Sequence, residues 1–125
     1  MAAKNLNDSI KHFLLLILAE HLGHENRIKR SVLKEELCLR LGANVSDRKM
    51  RDMLEELRNE ERGCWICGSL KSGYFAAKDE AELRAHLAKD KMRIANIARR
   101  VRNQETHAGL QSPDQIRMED LLASA

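Results

Sequence analysis

Residues 46–77, SDRKMRDMLEELRNEERGCWICGSLKSGYFAA, decide how the whole chain is read. Ser46 is a favourable helix N-cap, and Asp47 behind it suits the positive end of the helix dipole. Met50, Met53, Leu54 and Leu57 then recur at i, i+3, i+4 and i+7, one apolar stripe of an amphipathic helix. The opposite face carries Arg48, Asp52, Glu55 and Asn59, with Lys49 and Arg51 on the flanks, and Gly63 is the expected end. Two β-favouring runs follow, Cys64-Trp65-Ile66-Cys67 and Gly73-Tyr74-Phe75-Ala76. The residues between them have turn composition, which predicts a β-hairpin with Leu70-Lys71-Ser72-Gly73 at its tip.

Working outward, residues 5–22 read as a first helix capped by Asn7 or Asp8, with Ile10, Phe13, Leu14, Ile17, Leu18 and His21 at helical spacing. Leu15 and Leu16 widen its stripe, predicting burial on most sides or contact with a second chain, and Gly23 ends it. Arg27-Ile28-Lys29-Arg30 is a short basic run around one β-branched residue. Ser31 is the expected N-cap of a helix through Leu41, with Val32, Leu33, Leu37, Cys38 and Leu41 on one face and Gly42 as its stop. Downstream, Asp79 and Glu82 have capping-box spacing and open a long helix expected to reach Asn103. Leu83, Leu87, Asp90, Ile94, Ile97 and Val101 form a heptad-like seam along it. Residues 104–112 read as a polar linker. Pro113 then opens a short amphipathic piece with Ile116, Met118, Leu121 and Leu122.

The order helix, short basic segment, helix, turn, helix, hairpin resembles the winged helix-turn-helix superfamily. The strings that carry the resemblance are Ser46-Asp47-Arg48-Lys49-Met50-Arg51, Leu54-Glu55-Glu56-Leu57-Arg58, Ile66-Cys67-Gly68 and Gly73-Tyr74-Phe75. They look like those of small bacterial and phage regulatory or replication proteins, over about residues 8 to 77. The resemblance implies a mainly α fold with a small β-hairpin wing; the long C-terminal helix and everything else after Lys78 rest on the residue pattern alone. Residues 1–78 would be the winged-helix domain, 79–103 the long basic helix, and 104–125 a flexible tail with its amphipathic segment. It also implies a short strand at Arg27–Arg30 that pairs with the hairpin. One departure stands out: Gly63-Cys64-Trp65 opens the hairpin where such domains usually have a glycine followed by an aromatic residue.

The composition agrees with one helical domain. The chain has 125 residues, 43% hydrophobic and 33% charged, but only 3% aromatic, so Leu, Ile, Ala and Met must build the core. A net charge of +3 is a mild basic bias that permits nucleic-acid contact without demanding it. Three cysteines, no signal-peptide pattern and an apolar run at residues 13–19 too short to span a bilayer predict a cytoplasmic protein with free thiols and no membrane contact.

Candidate chemistry follows from the charges. The tip of a recognition helix meets base edges while basic side chains hold phosphates. Arg48, Lys49 and Arg51 lie in the first turns, and an arginine such as Arg48 makes the bidentate guanine contact. The competing reading is a solvated face with an Arg48–Asp52 pair. Asp52, Glu55 and Glu56 repel phosphate, so the helix must enter tip-first. Lys71, with Ser69 and Ser72, suits a phosphate contact by the wing or, equally, a plain exposed loop. Arg27, Lys29 and Arg30, with Lys34 beyond, form a basic approach. The expected DNA-binding set is Arg27, Lys29, Arg48, Lys49, Arg51 and Lys71.

The last helix carries Lys89, Lys91, Arg93, Arg99, Arg100 and Arg102 against Asp90, the densest positive charge in the chain. It either tracks a phosphate backbone or forms the wet face of a homodimer through Leu83, Leu87, Ile94, Ile97 and Val101. Cys64-x-x-Cys67 lacks further ligands, because Cys38, His21, His24 and His86 are scattered, so no metal or other cofactor is expected. No nucleophile, base and orienter stand at a catalytic spacing, and an enzyme is not expected. The C-terminal piece either docks on a protein partner or folds back over its own chain. The functional expectation is non-catalytic double-stranded DNA binding by a dimer in bacterial or phage transcription or replication control. The alternative is a winged-helix protein–protein module, an adaptor or an inhibitor of a host protein.

Overall fold

The computed structural model describes residues 2–110. Helices α1 (Ala2–Ala19), α2 (Arg30–Leu41) and α3 (Asp47–Arg58) precede strands β1 (Ile66–Ser69) and β2 (Gly73–Ala76), and α4 (Glu80–His107) follows. The protein is therefore mainly helical with one two-stranded antiparallel sheet. The chain separates into two compact units, Met1–Arg84 and Ala85–Ala125. No helix among the described residues is long and apolar enough to cross a membrane.

In the first unit, helical periodicity converts directly into a core. Ile10, Leu14, Ile17 and Leu18 of α1 meet Leu33 and Leu37 of α2 and the whole α3 stripe of Met50, Met53, Leu54 and Leu57. Burying such side chains contributes roughly 1.5–3 kcal/mol each, which holds three short helices that would be marginal alone. Two clamps cross this core at its rim. Lys11 of α1 reaches Glu56 at 3.1 Å and Glu60 at 2.8 Å, and Arg40 of α2 reaches Glu20 at 3.1 Å.

Several local expectations need correction. The first helix starts before Asn7 and Asp8 and is closed by Ala19, and Leu16 is exposed, so α1 buries one side rather than most. Lys29, not Ser31, is the N-cap of α2 and makes no side-chain cap, because the chain turns helical as soon as Ile28 is tied down. Val32 faces solvent. Gly42 closes α2 in the left-handed conformation as expected, and Ser46 Oγ accepts from Lys49 N at 3.1 Å. Helix α3 stops at Arg58 rather than Gly63. A 3-10 turn, Glu61–Gly63, intervenes and uses up Cys64 and Trp65, which moves the first strand two residues downstream.

The hairpin is anchored on both sides. Cys67 pairs with Phe75 and Ser69 with Gly73 across the antiparallel ladder. On its other edge β2 meets the segment between α1 and α2: Ile28 and Tyr74 exchange two backbone hydrogen bonds of 2.8 Å, and Gly23 N donates to Ala76 O at 2.8 Å. The basic run thus supplies a one-residue bridge rather than a strand, and it covers an edge that would otherwise be open. Gly73 makes this approach possible. Its φ is +97°, and a Cβ there would lie 2.7 Å from Ile28 O. Alternation along the hairpin puts Ile66 and Tyr74 into the main core, while Cys67 and Phe75 join Ala77 and Leu83 in a second, smaller one.

Asp79 Oδ1 accepts from Glu82 N at 2.8 Å to open α4. The return arm of the expected capping box is shifted, since Glu82 accepts from Lys78 N at 2.9 Å and from His24 N at 3.2 Å. Helix α4 runs to His107, four residues beyond Asn103, so residues 104–107 are helix rather than linker. The amphipathic piece at 113–122 lies outside the described residues.

Candidate nucleic-acid interface

The basic side chains fall into three groups that the sequence does not separate. Arg48 at the α3 tip and Lys71 at the hairpin tip are exposed, and neither has a hydrogen-bond or ion-pair partner among the described residues. The Arg48–Asp52 pair is not formed. Lys71 stands on a stiff turn, because Ser69 Oγ accepts from Ser72 N at 3.1 Å and lies 2.8 Å from Ser72 Oγ. The two serines expected to add ligand contacts therefore bond each other. Lys29 is exposed and Lys49 half-buried.

Arg27 belongs to a second group, cations used to build the scaffold. Its Nε donates to Ser72 O at 3.0 Å and its guanidinium to His24 O at 3.0 Å, which ties the hairpin turn to the residues after α1. Two of its five N–H donors are thus engaged in the scaffold, and the side chain remains exposed. Lys29, two residues on, has its backbone against Gly73. The structure thus brings Arg27 and Lys29 to the hairpin turn that carries Lys71.

The third group surrounds Tyr74. Asp47 Oδ2 receives Arg30 at 2.8 Å and lies 3.1 Å from Arg51 Nε, the latter without hydrogen-bond geometry. Arg58 donates to Gly68 O at 3.3 Å. Burial pushes the Tyr74 phenol above its ordinary value, and the positive charges of Arg58, Arg51 and Arg30 oppose that shift. So Arg30 of α2 and Arg51 and Arg58 of α3 all act electrostatically on one buried tyrosine. Arg30 and Arg58 lie outside the expected set. Arg58 was legible as the residue seven after Arg51 on one helix face, whereas Arg30 needs the tertiary contact with Asp47.

The outer face of α3 is acidic: Asp52, Glu55 and Glu56 are all exposed. Elsewhere the chemistry is sparse. Among the described residues no three His, Cys, Asp or Glu side chains stand together as a metal site. Cys64 is exposed ahead of β1, and Cys67 is buried beside Phe75. A shallow open depression beside α2, lined by Lys34, Glu35, Cys38 and Leu39, contains no buried polar side chain.

In the second unit, Lys89, Lys91, Arg93, Arg99 and Arg100 of α4 are exposed. Asp90 lies 3.5 Å from His86 Nε2 and 4.0 Å from Arg93, one carboxylate against these five cations. Of the seam, Leu87, Ile94 and Ile97 are exposed and Val101 is half-buried, while Leu83 is already used by the smaller core of the first unit. Comparison of the chain with protein-family models, with curated proteins and with solved structures returns no match.

Proposed function

We propose that residues 1–78 act as a winged helix-turn-helix that binds double-stranded DNA without catalysis, with α3 as the recognition helix and the hairpin as the wing. The observation that carries this reading is the Ile28–Tyr74 bridge. It fixes the basic segment before α2 against the hairpin and leaves Lys29 and Lys71 at one turn. Arg48 and Lys49 lead the α3 tip, where base contacts are made. Arg30, Arg51 and Arg58 supply positive potential behind them. A second copy, packed on Leu87, Ile94 and Ile97, would set two wings on two half-sites. The setting, transcription or replication control in a bacterium or phage, rests on the resemblance of the sequence.

The test is binding to random-sequence duplex DNA at increasing salt. Affinity that falls steeply with salt is expected, since Lys and Arg release condensed counterions from phosphate. Absence of binding at low salt, or affinity indifferent to salt, would contradict the proposal. The exposed acidic face formed by Asp52, Glu55 and Glu56 favours a second reading, in which this domain binds a basic protein surface. Under that reading charge reversal on this face abolishes partner binding, and DNA does not compete.

A further inference from the structure

Two cations that cross the core of the first unit are each held by two carboxylates. Arg40 lies between Glu20 and Glu36, and Lys11 between Glu56 and Glu60. At Asp47 the ratio is reversed. Arg30 Nη1 and Arg51 Nε stand 2.8 and 3.1 Å from the same Oδ2 atom, so one carboxylate oxygen serves two guanidinium groups. It aligns with only one of them. Arg30 donates a hydrogen bond to Asp47, whereas Arg51 donates none among the described residues. Its Nε is enclosed and without an acceptor. An enclosed N–H in that condition costs stability, and an anion with a better placed oxygen would supply the acceptor. Both side chains are still about two-fifths exposed, so a ligand can reach them.

The surroundings favour an anion further. Arg30 lies two residues beyond Ile28, whose backbone is bonded to Tyr74, so the pair stands where α2, α3 and the hairpin meet. Arg58 adds a third positive charge that acts with these two on the Tyr74 phenol. Three guanidinium groups thus face one carboxylate. A guanidinium is a planar fork of N–H donors that pairs with carboxylate or phosphate through parallel bonds. The planar carboxylate of Asp47 reaches both arginines through one oxygen and satisfies one. A phosphate has oxygens that are not coplanar, so a single group can align with forks arriving from two helices.

We propose that Arg30 and Arg51 form a phosphate-binding site, held by Asp47 in the free chain and taken by a backbone phosphate of the duplex in the complex. That the phosphate belongs to a duplex rests on the function proposed above; the site itself does not. Asp47 competes with the ligand, and the two arginines make a direct contact rather than lending only their field.

The test uses the full chain with nitrogen-15-labelled arginine and inorganic phosphate as the probe, exchanged for chloride at constant ionic strength. The Nε–Hε signals of Arg30 and Arg51 should move together to saturation with one dissociation constant. Those of Arg99 and Arg100, solvated on α4, should drift slightly without saturating. Equal movement with acetate, or movement at Arg30 and Arg51 no greater than at Arg99 and Arg100, would overturn the site. In duplex binding, Arg30→Lys with Arg51→Lys keeps the charge but removes both forks, and affinity should fall several-fold at fixed salt. Protection of the Ile28 and Tyr74 amides reports that this variant is folded. Unchanged affinity would overturn the assignment to a backbone phosphate. If the unmodified chain binds no duplex, the proposed function fails while the inorganic phosphate titration still decides the site.

Discussion

The first unit and the basic run of α4 use their positive charge differently. Around the hairpin, Arg27 is bonded to Ser72 O and His24 O, Arg30 to Asp47, and Arg58 to Gly68 O. On α4, Lys89, Lys91, Arg99 and Arg100 stand in solvent with only Asp90 among them. Charge density along the chain is thus a poor guide to charge that is positioned. A guanidinium held by backbone carbonyls has a fixed direction and lends its field to a shaped surface, whereas a row of solvated lysines attracts any polyanion and orients none. The account places specific contacts on the small group that is both exposed and mounted on rigid elements, Arg48 and Lys71.

The sharpest break between the two regions is expected in stability. Leu57→Ala removes a fully buried side chain of α3 and should cost about 2–5 kcal/mol in urea denaturation of the full chain. Met92→Ala, at a position 70% exposed and off the seam, should stay within about 0.5 kcal/mol. Equal losses would mean that α4 is as much a part of the packed core as α3. Gly73→Ala comes next. It puts a Cβ against Ile28 O at a positive φ, and a loss of about 1–3 kcal/mol is expected, together with exchange of the Ile28 and Tyr74 amides. Retained protection of both amides would show that the bridge does not fasten the hairpin.

Asp47→Asn asks whether the Tyr74 group is held back by its own counter-ion. Stability should change by no more than about 1 kcal/mol, because both partners are substantially exposed. Duplex affinity should rise about two- to fivefold as Arg30 and Arg51 lose their shared carboxylate. A fall in affinity would show that Asp47 orients these arginines rather than restraining them.

The smallest effects are in pH dependence. Glu60, held by Lys11 and then Arg62, and Glu82, held by the Lys78 and then the His24 backbone amides, both lie below the usual 4.5. A depressed carboxyl contributes its stability fully above that value and loses it as pH falls through its folded pKa. The melting temperature should therefore decline on acidification below about pH 4.5, and less steeply in Glu82→Gln. Lys11, raised by Glu60 and then Glu56, works in the opposite sense. Its contribution is complete below the usual 10.5 and fades only at higher pH, so Lys11→Met should flatten the acid limb only by releasing Glu60.

Legibility in the sequence followed the range of the forces involved. Met50, Met53, Leu54 and Leu57 were readable because a helical stripe needs only its own spacing, and Ser46 and Gly42 because caps are local. The first strand was misplaced by two residues because Cys64 and Trp65 have strand composition, yet the chain must first turn beneath Leu57. Helix α4 outran its expected end because Gln104, Glu105 and Thr106 are polar but contain no breaker, and Gly109 is the actual stop. The part Arg27 plays in the scaffold was not legible because its hydrogen bond to Ser72 O joins residues 45 apart. Arg30 was undervalued because its partner, Asp47, is 17 residues away. Neither contact leaves a periodic trace.

The most direct test of the account is a salt titration of duplex binding by three full-length proteins compared side by side. They are the unmodified chain, Arg48→Ala with Lys71→Ala, and Lys89→Ala with Lys91→Ala and Arg93→Ala. The account predicts that the first variant loses at least about tenfold in affinity and about 2 in the slope of log affinity against log salt if both contacts are to phosphate. The second should stay within about twofold. An unaffected first variant and a crippled second would place the DNA on α4 and contradict the central claim.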